Sequence, residues 1–276
     1  MDRAEIQANL DRIIQARHND PFRVLGRHRV GDHLVVRAYV PSAGEVSLVE
    51  NNQPMRRVSG TDLFEWEGDA NSVPERYRLI WRDVDHRQHI AYDPYSFPPQ
   101  ISDFDLHLFG EGKHWHAYRF LGARPHEAEG IAGVLFAVWA PNAERVSVVG
   151  EFNNWDGRRH PMRLRGGSGV WELFIPELAP GALYKYEIRT ASNGAVFVKA
   201  DPYGQRMERR PATASIVAPR SSYTWNDGNW LERRARFDWQ HRPMSIFEVH
   251  LGSWQRGPEG ELLNYRAAAN TWIGRP

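Results

Sequence analysis

The sequence predicts a mainly β protein with two tandem β-sandwiches and a short helix in front of them. A stretch of the first half recurs about one hundred residues later, which indicates two copies of one unit. Each copy consists of short segments of alternating apolar and polar residues, broken by Gly, Pro and Asn, as in strands and their turns. The length of 276 residues accommodates two such domains of ordinary size.

Residues 1–20 carry the pattern of a short amphipathic helix. Asp2 and Glu5 have the spacing of a capping box, and the apolar residues that follow recur on one helical face. These apolar residues are Ile6, Leu10, Ile13 and Ile14. Pro21 disfavours helical backbone in the residue before it, which predicts the end of the helix. Because a short helix with one apolar stripe must bury that stripe, we expect it to cover the domain that follows.

The internal repeat is the most informative feature of the chain. Residues 37–49 can be aligned without a gap with residues 137–149. The identical positions are Pro41 and Pro141, Ala43 and Ala143, Val46 and Val146, Ser47 and Ser147, and Val49 and Val149. Further landmarks in the same order are residues 77–80 with 184–187, and Asp-Pro-Tyr at 93–95 and 201–203. Matches in a conserved order indicate a duplicated domain rather than chance.

The second copy shows the period of β-strands most clearly. Four of its segments alternate in this way: 134–139, 146–149, 171–175 and 184–188. Short strands at this spacing predict antiparallel sandwiches in which each sheet buries one face. The predicted divisions are a first sandwich at 21–110, a linker at 111–129, a second sandwich at 130–220, and a linker at 221–243.

Residues 244–276 begin with an apolar run that suits a buried strand ending at Gly252. The run contains Ile246, Phe247, Val249 and Leu251. These 33 residues can form one strand and one helix, but they cannot bury a third core.

The composition limits the partners of the protein. Its 35 Lys and Arg against 34 Asp and Glu give a net charge of +1, so we predict neither a nucleic-acid nor a membrane partner. The absence of cysteine excludes disulfides and thiolate sites. The first ten residues are charged where a signal peptide is apolar, and no run approaches the roughly 20 apolar residues of a membrane helix, which favours a cytoplasmic protein. No cofactor and no metal are predicted, since His114 and His116 have no third ligand in view.

Three segments resemble one family of enzymes. Residues 19–26 are similar to the opening of the first sandwich of bacterial glycogen (1,4-α-glucan) branching enzymes. Residues 136–162, with Phe-Asn-Asn-Trp at 152–155, resemble their second sandwich, a family 48 carbohydrate-binding module. Residues 245–254 resemble the first strand of the family 13 α-amylase-type (β/α)8 barrel that follows. The resemblance extends over about residues 5–266, and residues 267–276 depart from it.

The resemblance implies two immunoglobulin-like β-sandwiches followed by the first strand of a truncated (β/α)8 barrel. It also implies that the substrate is an α-1,4-glucan or glycogen. In the family, a retaining transfer cuts an α-1,4 linkage and rejoins the chain through an α-1,6 bond, with an Asp nucleophile and a Glu acid/base. Barrels carry such groups at the ends of their strands and need about 250 residues. Because only 33 residues follow Pro243, we expect no catalytic residue and no branching activity in this N-terminal fragment.

Two other functions stay open at this point. The chain could be a stand-alone glucan-binding module, or it could be a non-functional truncated gene product.

The resemblance also implies a glucan-binding site. In family 48 modules a Trp after the Phe-Asn-x-Trp turn and a Lys on a nearby strand hold the sugar, and Trp155 and Lys185 match these positions, with Asn153 as a third candidate. An indole face suits the C–H face of a sugar, and an ammonium donates to hydroxyls. Structural roles compete, since Trp155 can pack at a corner and Asn153 suits a tight turn. The second aromatic residue of the family is missing, because Ala195 and Val196 occupy its position.

Two further expectations concern the surroundings of this site. The basic residues between 158 and 165 are interpreted as a solvated loop. They are Arg158, Arg159, His160, Arg163 and Arg165. The first copy has residues 50–53 in place of the Trp155 turn and no Trp, so we expect it to be a spacer without a sugar site.

Overall fold

The computed structural model describes residues 3–69 and 71–273. Asp2 of the predicted capping box lies outside the described residues. The chain divides into two compact units, residues 1–221 and residues 222–276. The first unit holds both β-sandwiches, and the described residues of the second unit hold helices.

The first part of the chain forms one helix, eight strands and a second helix. Their bounds are α1 Arg3–Ile14, β1 Gly26–Val30, β2 His33–Tyr39, β3 Glu45–Leu48, β4 Gln53–Pro54, β5 Arg56–Arg57, β6 Leu63–Asp69, β7 Arg78–Arg82, β8 Gln88–Tyr92 and α2 Asp103–Gly110. The strands form two antiparallel sheets, in the orders β1-β2-β6-β5 and β4-β3-β7-β8. Alternate residues of β2 and β3 meet residues of β6 and β7 in one buried cluster, which makes this pair of sheets a sandwich.

The next nine strands repeat this arrangement. Their bounds are β9 Gly122–Ala128, β10 Ile131–Trp139, β11 Ala143–Gly150, β12 Arg163–Leu164, β13 Val170–Pro176, β14 Leu183–Thr190, β15 Val196–Lys199, β16 Arg206–Met207 and β17 Ser215–Ile216. One sheet has the order β12-β13-β10-β9, and the other has β11-β14-β17-β16 with β15 also paired to β14. The pairs β2·β6 and β3·β7 of the first copy thus correspond to β10·β13 and β11·β14. The mainly β fold, the duplication and the four strands predicted in the second copy are confirmed.

The stretch predicted as a linker at 111–129 differs from the structure. Residues Gly122–Ala128 form β9, which pairs along its whole length with β10 at the edge of a sheet. Before β9, α2 and the chain around Phe97, Phe109 and Phe120 cover the outer face of β10 and β13. Every residue of β13 is therefore buried, because its other face lies in the core of the second sandwich.

Helix α1 lies at the junction of the two sandwiches rather than on the first one alone. Leu10 and Ile13 belong to the buried cluster that contains the core of the second sandwich. Beyond the helix, Arg17 pairs with Glu144 at the start of β11 at 2.7 Å, and the amide of Leu164 donates to the carbonyl of Asn19 at 2.8 Å. Helix α1 and the residues after it thus pack on the second sandwich too, and not only on the first one as expected from the sequence.

The second unit contains helices α3 Gly228–Arg236, α4 Leu251–Trp254 and α5 Tyr265–Ile273. Helix α3 lies inside the stretch predicted as a linker at 221–243. The strand predicted to end at Gly252 is wrong: residues 243–250 form no strand, and Leu251 begins a short helix. A strand needs a hydrogen-bonded neighbour, and none of the described residues of this unit form one for it. In the described part of the chain, no helix has the length and apolar character to cross a membrane.

Candidate functional site

Asn153 is a structural residue of the loop that follows β11. Its side chain is only 1% exposed. Its Oδ1 accepts from the amide of Gly150 at 2.9 Å, and its Nδ2 donates to the carbonyl of Val148 and to Nδ1 of His160, each at 2.8 Å. All of these contacts lie within the protein. This geometry fits the competing turn role of Asn153, and its sugar contact stays a prediction.

Trp155 lies at the surface on an unusual backbone. Asn154 and Trp155 have φ angles of 56° and 58°, and the amide of Trp155 donates to the carbonyl of Gly150 at 2.9 Å. Left-handed backbone is uncommon outside glycine and is rarer still for a bulky side chain. The indole is 40% exposed. The anchored turn thus holds a large aromatic side chain partly in solvent.

Lys185 lies on β14 next to the origin of this loop. In the β11·β14 pair, Val149 is opposite Lys185 and Gly150 is opposite Tyr184. Because the amide of Trp155 is bonded to Gly150, the loop carrying Trp155 starts at the strand pair that carries Lys185. The Lys185 ammonium donates to Oγ1 of Thr213 at 2.8 Å. The structure thus brings the two predicted sugar-binding residues to one corner of the sheet.

An ion pair beside this corner escaped the sequence analysis. Glu187 accepts from Nη2 of the buried Arg145 at 2.5 Å, and Nη1 of Arg145 donates to the carbonyl of Gly157 at 2.8 Å. A Cβ atom built on Gly157 would lie 2.0 Å from Oε1 of Glu187, so the loop packs directly against the carboxylate of this side chain. The pair ties the far end of the Trp155 loop to the strand of Lys185. The sequence feature that indicates such a contact is the polar residue at every second position of β14.

Most of the basic residues of 158–165 do not lie in a solvated loop. Arg163 and Arg165 pair at 3.3 and 3.0 Å with Glu172 of β13, whose side chain is 1% exposed. Glu172 also accepts from the amides of Gln100 at 3.3 Å and Ile101 at 2.9 Å, in the segment that joins the two sandwiches. These contacts connect the domains, so the solvated-loop interpretation is wrong for these arginines.

Two neighbouring arginines differ in their surroundings. Arg159 is half-buried and donates to the carbonyl of Pro41 in the first sandwich at 3.0 Å. Arg158 remains at the surface, where it pairs with Asp156 at 2.7 Å.

No cluster of three or more metal-ligating side chains occurs among residues 3–69 and 71–273. The two nitrogens of His114 are both engaged: Nε2 lies 2.7 Å from Oδ1 of Asp105, and Nδ1 accepts from the amide of His116 at 3.1 Å.

The chain matches two described protein families. Residues 6–95 match the N-terminal domain of alpha-1,4-glucan branching enzyme GlgB. Residues 120–204 match carbohydrate-binding module 48, the isoamylase N-terminal domain. The second match begins just before β9, in agreement with the pairing of that strand in the second sandwich.

Individual proteins are similar over nearly the whole chain. The 1,4-alpha-glucan branching enzyme GlgB of Methylococcus capsulatus is 56% identical over 270 residues, which cover 98% of this chain and 36% of that protein. The GlgB of Nitrosococcus oceani is 57% identical over 271 residues, with the same two shares. The chain thus spans about 36% of the length of these curated relatives.

Among solved structures, pullulanase type I from Bacillus subtilis complexed with maltose is 16% identical, with a TM-score of 0.32 over 70% of this chain and 26% of that one. This likeness is too distant to carry an argument. From the two domain matches and the relatives, the chain belongs to the bacterial 1,4-α-glucan branching enzyme family, of which it represents the N-terminal region with the GlgB N-terminal domain and module 48.

Proposed function

We propose that the second sandwich binds α-1,4-glucan at the corner formed by Trp155 and Lys185. The observation that carries this proposal is the exposed indole of Trp155 on a left-handed backbone. Strained backbone of this kind costs on the order of 1–3 kcal/mol and persists where the surrounding structure imposes it, often at binding sites. Here Asn153 and the Arg145–Glu187 pair impose it from the two ends of the loop.

The chemistry of this corner suits a sugar. The face of an indole packs on the apolar face of a glucosyl ring, and the Lys185 ammonium, already bonded to one hydroxyl at Thr213, has further protons to donate. With Val196 in place of a second aromatic residue, one ring stacks on the ligand instead of two. We therefore expect weak, single-ring binding of a glucan.

We further infer that this chain holds glucan for a branching reaction, the transfer of α-1,4-glucan chains to α-1,6 branch points in glycogen. The inference is supported by the family to which the chain belongs and by its two N-terminal domains. Because the chain spans about 36% of these relatives, we infer that the reacting carboxylates lie in the part that it does not span. A polypeptide of these 276 residues should not change the iodine stain of amylose.

Calorimetry with maltoheptaose tests the glucan site. Trp155→Ala should weaken glucan binding at this site at least tenfold, because the packing of the sugar ring depends on this one aromatic face. Trp115→Ala is the matched control, since Trp115 is 90% exposed in another part of the first unit. An affinity of the Trp155→Ala chain equal to that of the control would refute the proposed site.

A further inference from the structure

A cavity of about 280 Å³ lies between the two sandwiches of the first unit. Pockets for drug-sized ligands have about 300–1,000 Å³, so this one suits a smaller ligand such as a single sugar ring. Both domains contribute to its wall. The residues used below are Trp81 and Tyr92 of the first sandwich, and Phe152, Arg159, His160 and Glu177 of the second.

His160 presents a neutral donor at this cavity. The amide of Asn153 is oriented by its bonds to Gly150 and Val148, so its Nδ2 donates to Nδ1 of His160, which places the imidazole proton on Nε2. Burial lowers the pKa of His160 to about 3, which keeps the ring neutral at pH 7. Nε2 makes no hydrogen bond to any residue in the described part of the chain, and it is not among the fully buried atoms.

Three other polar groups of the wall have unused capacity. Arg159 uses one guanidinium nitrogen for the Pro41 carbonyl and forms no ion pair within the described ranges. The hydroxyl of Tyr92 and the carboxylate of Glu177 make no hydrogen bond to described residues. Glu177 is held at a φ of 60° by its amide, which donates to the carbonyl of Ala132 at 2.8 Å. A left-handed glutamate is strained backbone, here at the wall of a cavity.

The charges of the wall favour a neutral ligand. The positive charge of Arg159 is offset by the negative charge of Glu177. Asp93 is a further acidic group of the wall, and its carboxyl group accepts from the hydroxyl of Tyr77 and the amide of Tyr95. A phosphate or carboxylate ligand would meet Glu177 without a surplus of cations. A polyhydroxyl ligand can use both donors and acceptors.

Aromatic side chains supply flat apolar faces on both sides of the cavity. The indole of Trp81 is stacked on His89, with centroids 5.3 Å apart and an interplanar angle of 15°, which fixes its plane. Phe152 of the second sandwich packs edge-on to His160 at 5.7 Å. A pyranose ring has the matching surface, with apolar C–H faces and a rim of hydroxyls.

Resting on the glucan binding proposed above for this chain, we propose that this cavity binds one glucosyl unit of an α-1,4-glucan, as a second sugar site that is separate from Trp155. Because residues of the first sandwich form part of the wall, this domain takes part in the proposed sugar binding, in contrast to the spacer role expected from the sequence.

Calorimetric titration of the full chain with maltotriose, in a Trp155→Ala background, measures this site alone. The background chain should keep one maltotriose site. Adding Arg159→Gln should weaken the remaining binding about tenfold, because a hydrogen bond from a charged donor is lost. Adding Tyr92→Phe, which removes only a hydroxyl, should weaken it about threefold to tenfold. Arg158→Gln in the same background is the control, since Arg158 pairs with Asp156 and does not line the cavity.

Each outcome separates the two sugar sites. If the folded Trp155→Ala chain binds no maltotriose, the cavity site is overturned and the Trp155 site stands. If Arg159→Gln and Tyr92→Phe both leave the residual affinity at that of Arg158→Gln, the remaining site lies elsewhere and the cavity proposal is also overturned. If Trp155→Ala leaves all binding unchanged and the two cavity variants remove it, the cavity site stands and the Trp155 site fails.

Discussion

The hydroxyl of Tyr184 donates a hydrogen bond to Oδ2 of Asp201 at 2.6 Å inside the second sandwich. In the first sandwich, Tyr77 donates to Asp93 in the same way. Burial raises the pKa of both carboxyl groups, that of Asp93 to about 6. The two pairs are equivalent positions of the duplicated domain, and each joins the start of a central strand to the segment that follows the next strand.

Removing one of these hydroxyls should destabilise the protein. Tyr184→Phe and Tyr77→Phe each remove one donor from a buried carboxyl group, which keeps its backbone amide donor, at a cost of about 1–3 kcal/mol in the free energy of unfolding. Urea unfolding measures this loss. Tyr118→Phe at the surface is the control and should change the free energy by less than about 0.5 kcal/mol. A loss no larger than that of Tyr118→Phe would mean that the Tyr–Asp pairs do not stabilise the fold.

Glu172→Gln should destabilise the first unit strongly. The substitution keeps one side-chain acceptor for the amides of Gln100 and Ile101, but it removes the buried carboxylate that two largely buried guanidinium groups share. Arg165 then keeps only the exposed carboxylate of Asp103 among the described residues. Breaking a buried ion pair costs about 3–5 kcal/mol. Glu111→Gln is the control, since Glu111 pairs with the exposed Lys113, and should cost about 1 kcal/mol or less. Equal thermal unfolding of the two variants would contradict the interface role of Glu172.

Gly157→Ala should weaken glucan binding at the Trp155 corner without removing a sugar-contacting side chain. The new Cβ would displace Glu187 from Arg145, which releases the end of the loop. We expect a stability loss of about 1–3 kcal/mol and, in calorimetry, about tenfold weaker maltoheptaose binding. Gly167→Ala is the control, because its Cβ would meet no atom within 4 Å. Unchanged binding in Gly157→Ala would show that the loop does not depend on this contact.

His18 should make the protein less stable as the pH falls. Its Nδ1 accepts from the amide of Asp20 at 2.9 Å, and its Nε2 lies 3.0 Å from Oδ1 of Asn9 in α1. Burial, followed by the charges of Arg12 and Arg23, lowers its pKa from 6.5 to about 4.

Between those values the unfolded chain binds more protons at His18 than the folded chain does. The contribution of His18 is therefore fully present above pH 6.5 and is lost as the pH falls through about 4. Asp93 acts in the opposite direction, since its contribution is present at low pH and is lost as the pH rises through about 6. Urea unfolding at pH 7 and pH 5 should show a smaller decrease for His18→Gln than for the unchanged chain, by up to about 1.4 kcal/mol per pH unit. Identical decreases would contradict the shifted pKa of His18.

Removing residues 222–276 should raise the solubility of the protein. The second unit exposes large apolar side chains, with Ile246 85% exposed, and such surfaces promote association. The soluble fraction after expression and centrifugation measures the effect. An equal soluble fraction for the two polypeptides would show that these side chains are covered in solution.

The sequence predicted the elements whose pattern is local. The alternation of β10, β11, β13 and β14 defines strands by itself, whereas the pairing of these strands is known only from the structure. Strand β9 was missed because its sequence does not alternate and contains Pro125, which a sheet tolerates only at an edge. The strand predicted to end at Gly252 failed for the converse reason, since its apolar pattern has no neighbouring strand in the described chain.

The candidate site was only partly predictable. Trp155 and Lys185 follow from a motif, and their approach follows from the strand pairing. The roles of Arg163 and Glu172 depend on how the joining segment folds back over β13, which no short pattern encodes. The cavity arises only when the two sandwiches lie side by side.

Strand β13 has no solvent-facing residue, since α2 and the joining segment cover one of its faces and the second core covers the other. A polar substitution at any position of β13 is therefore expected to lower the stability of the fold. Natural variation in this region is expected to accumulate in the turns. The turn of Trp155 is one of these. At the glucan site proposed here, ligand preference is therefore expected to change between homologues through that turn, with little change in the scaffold beneath it.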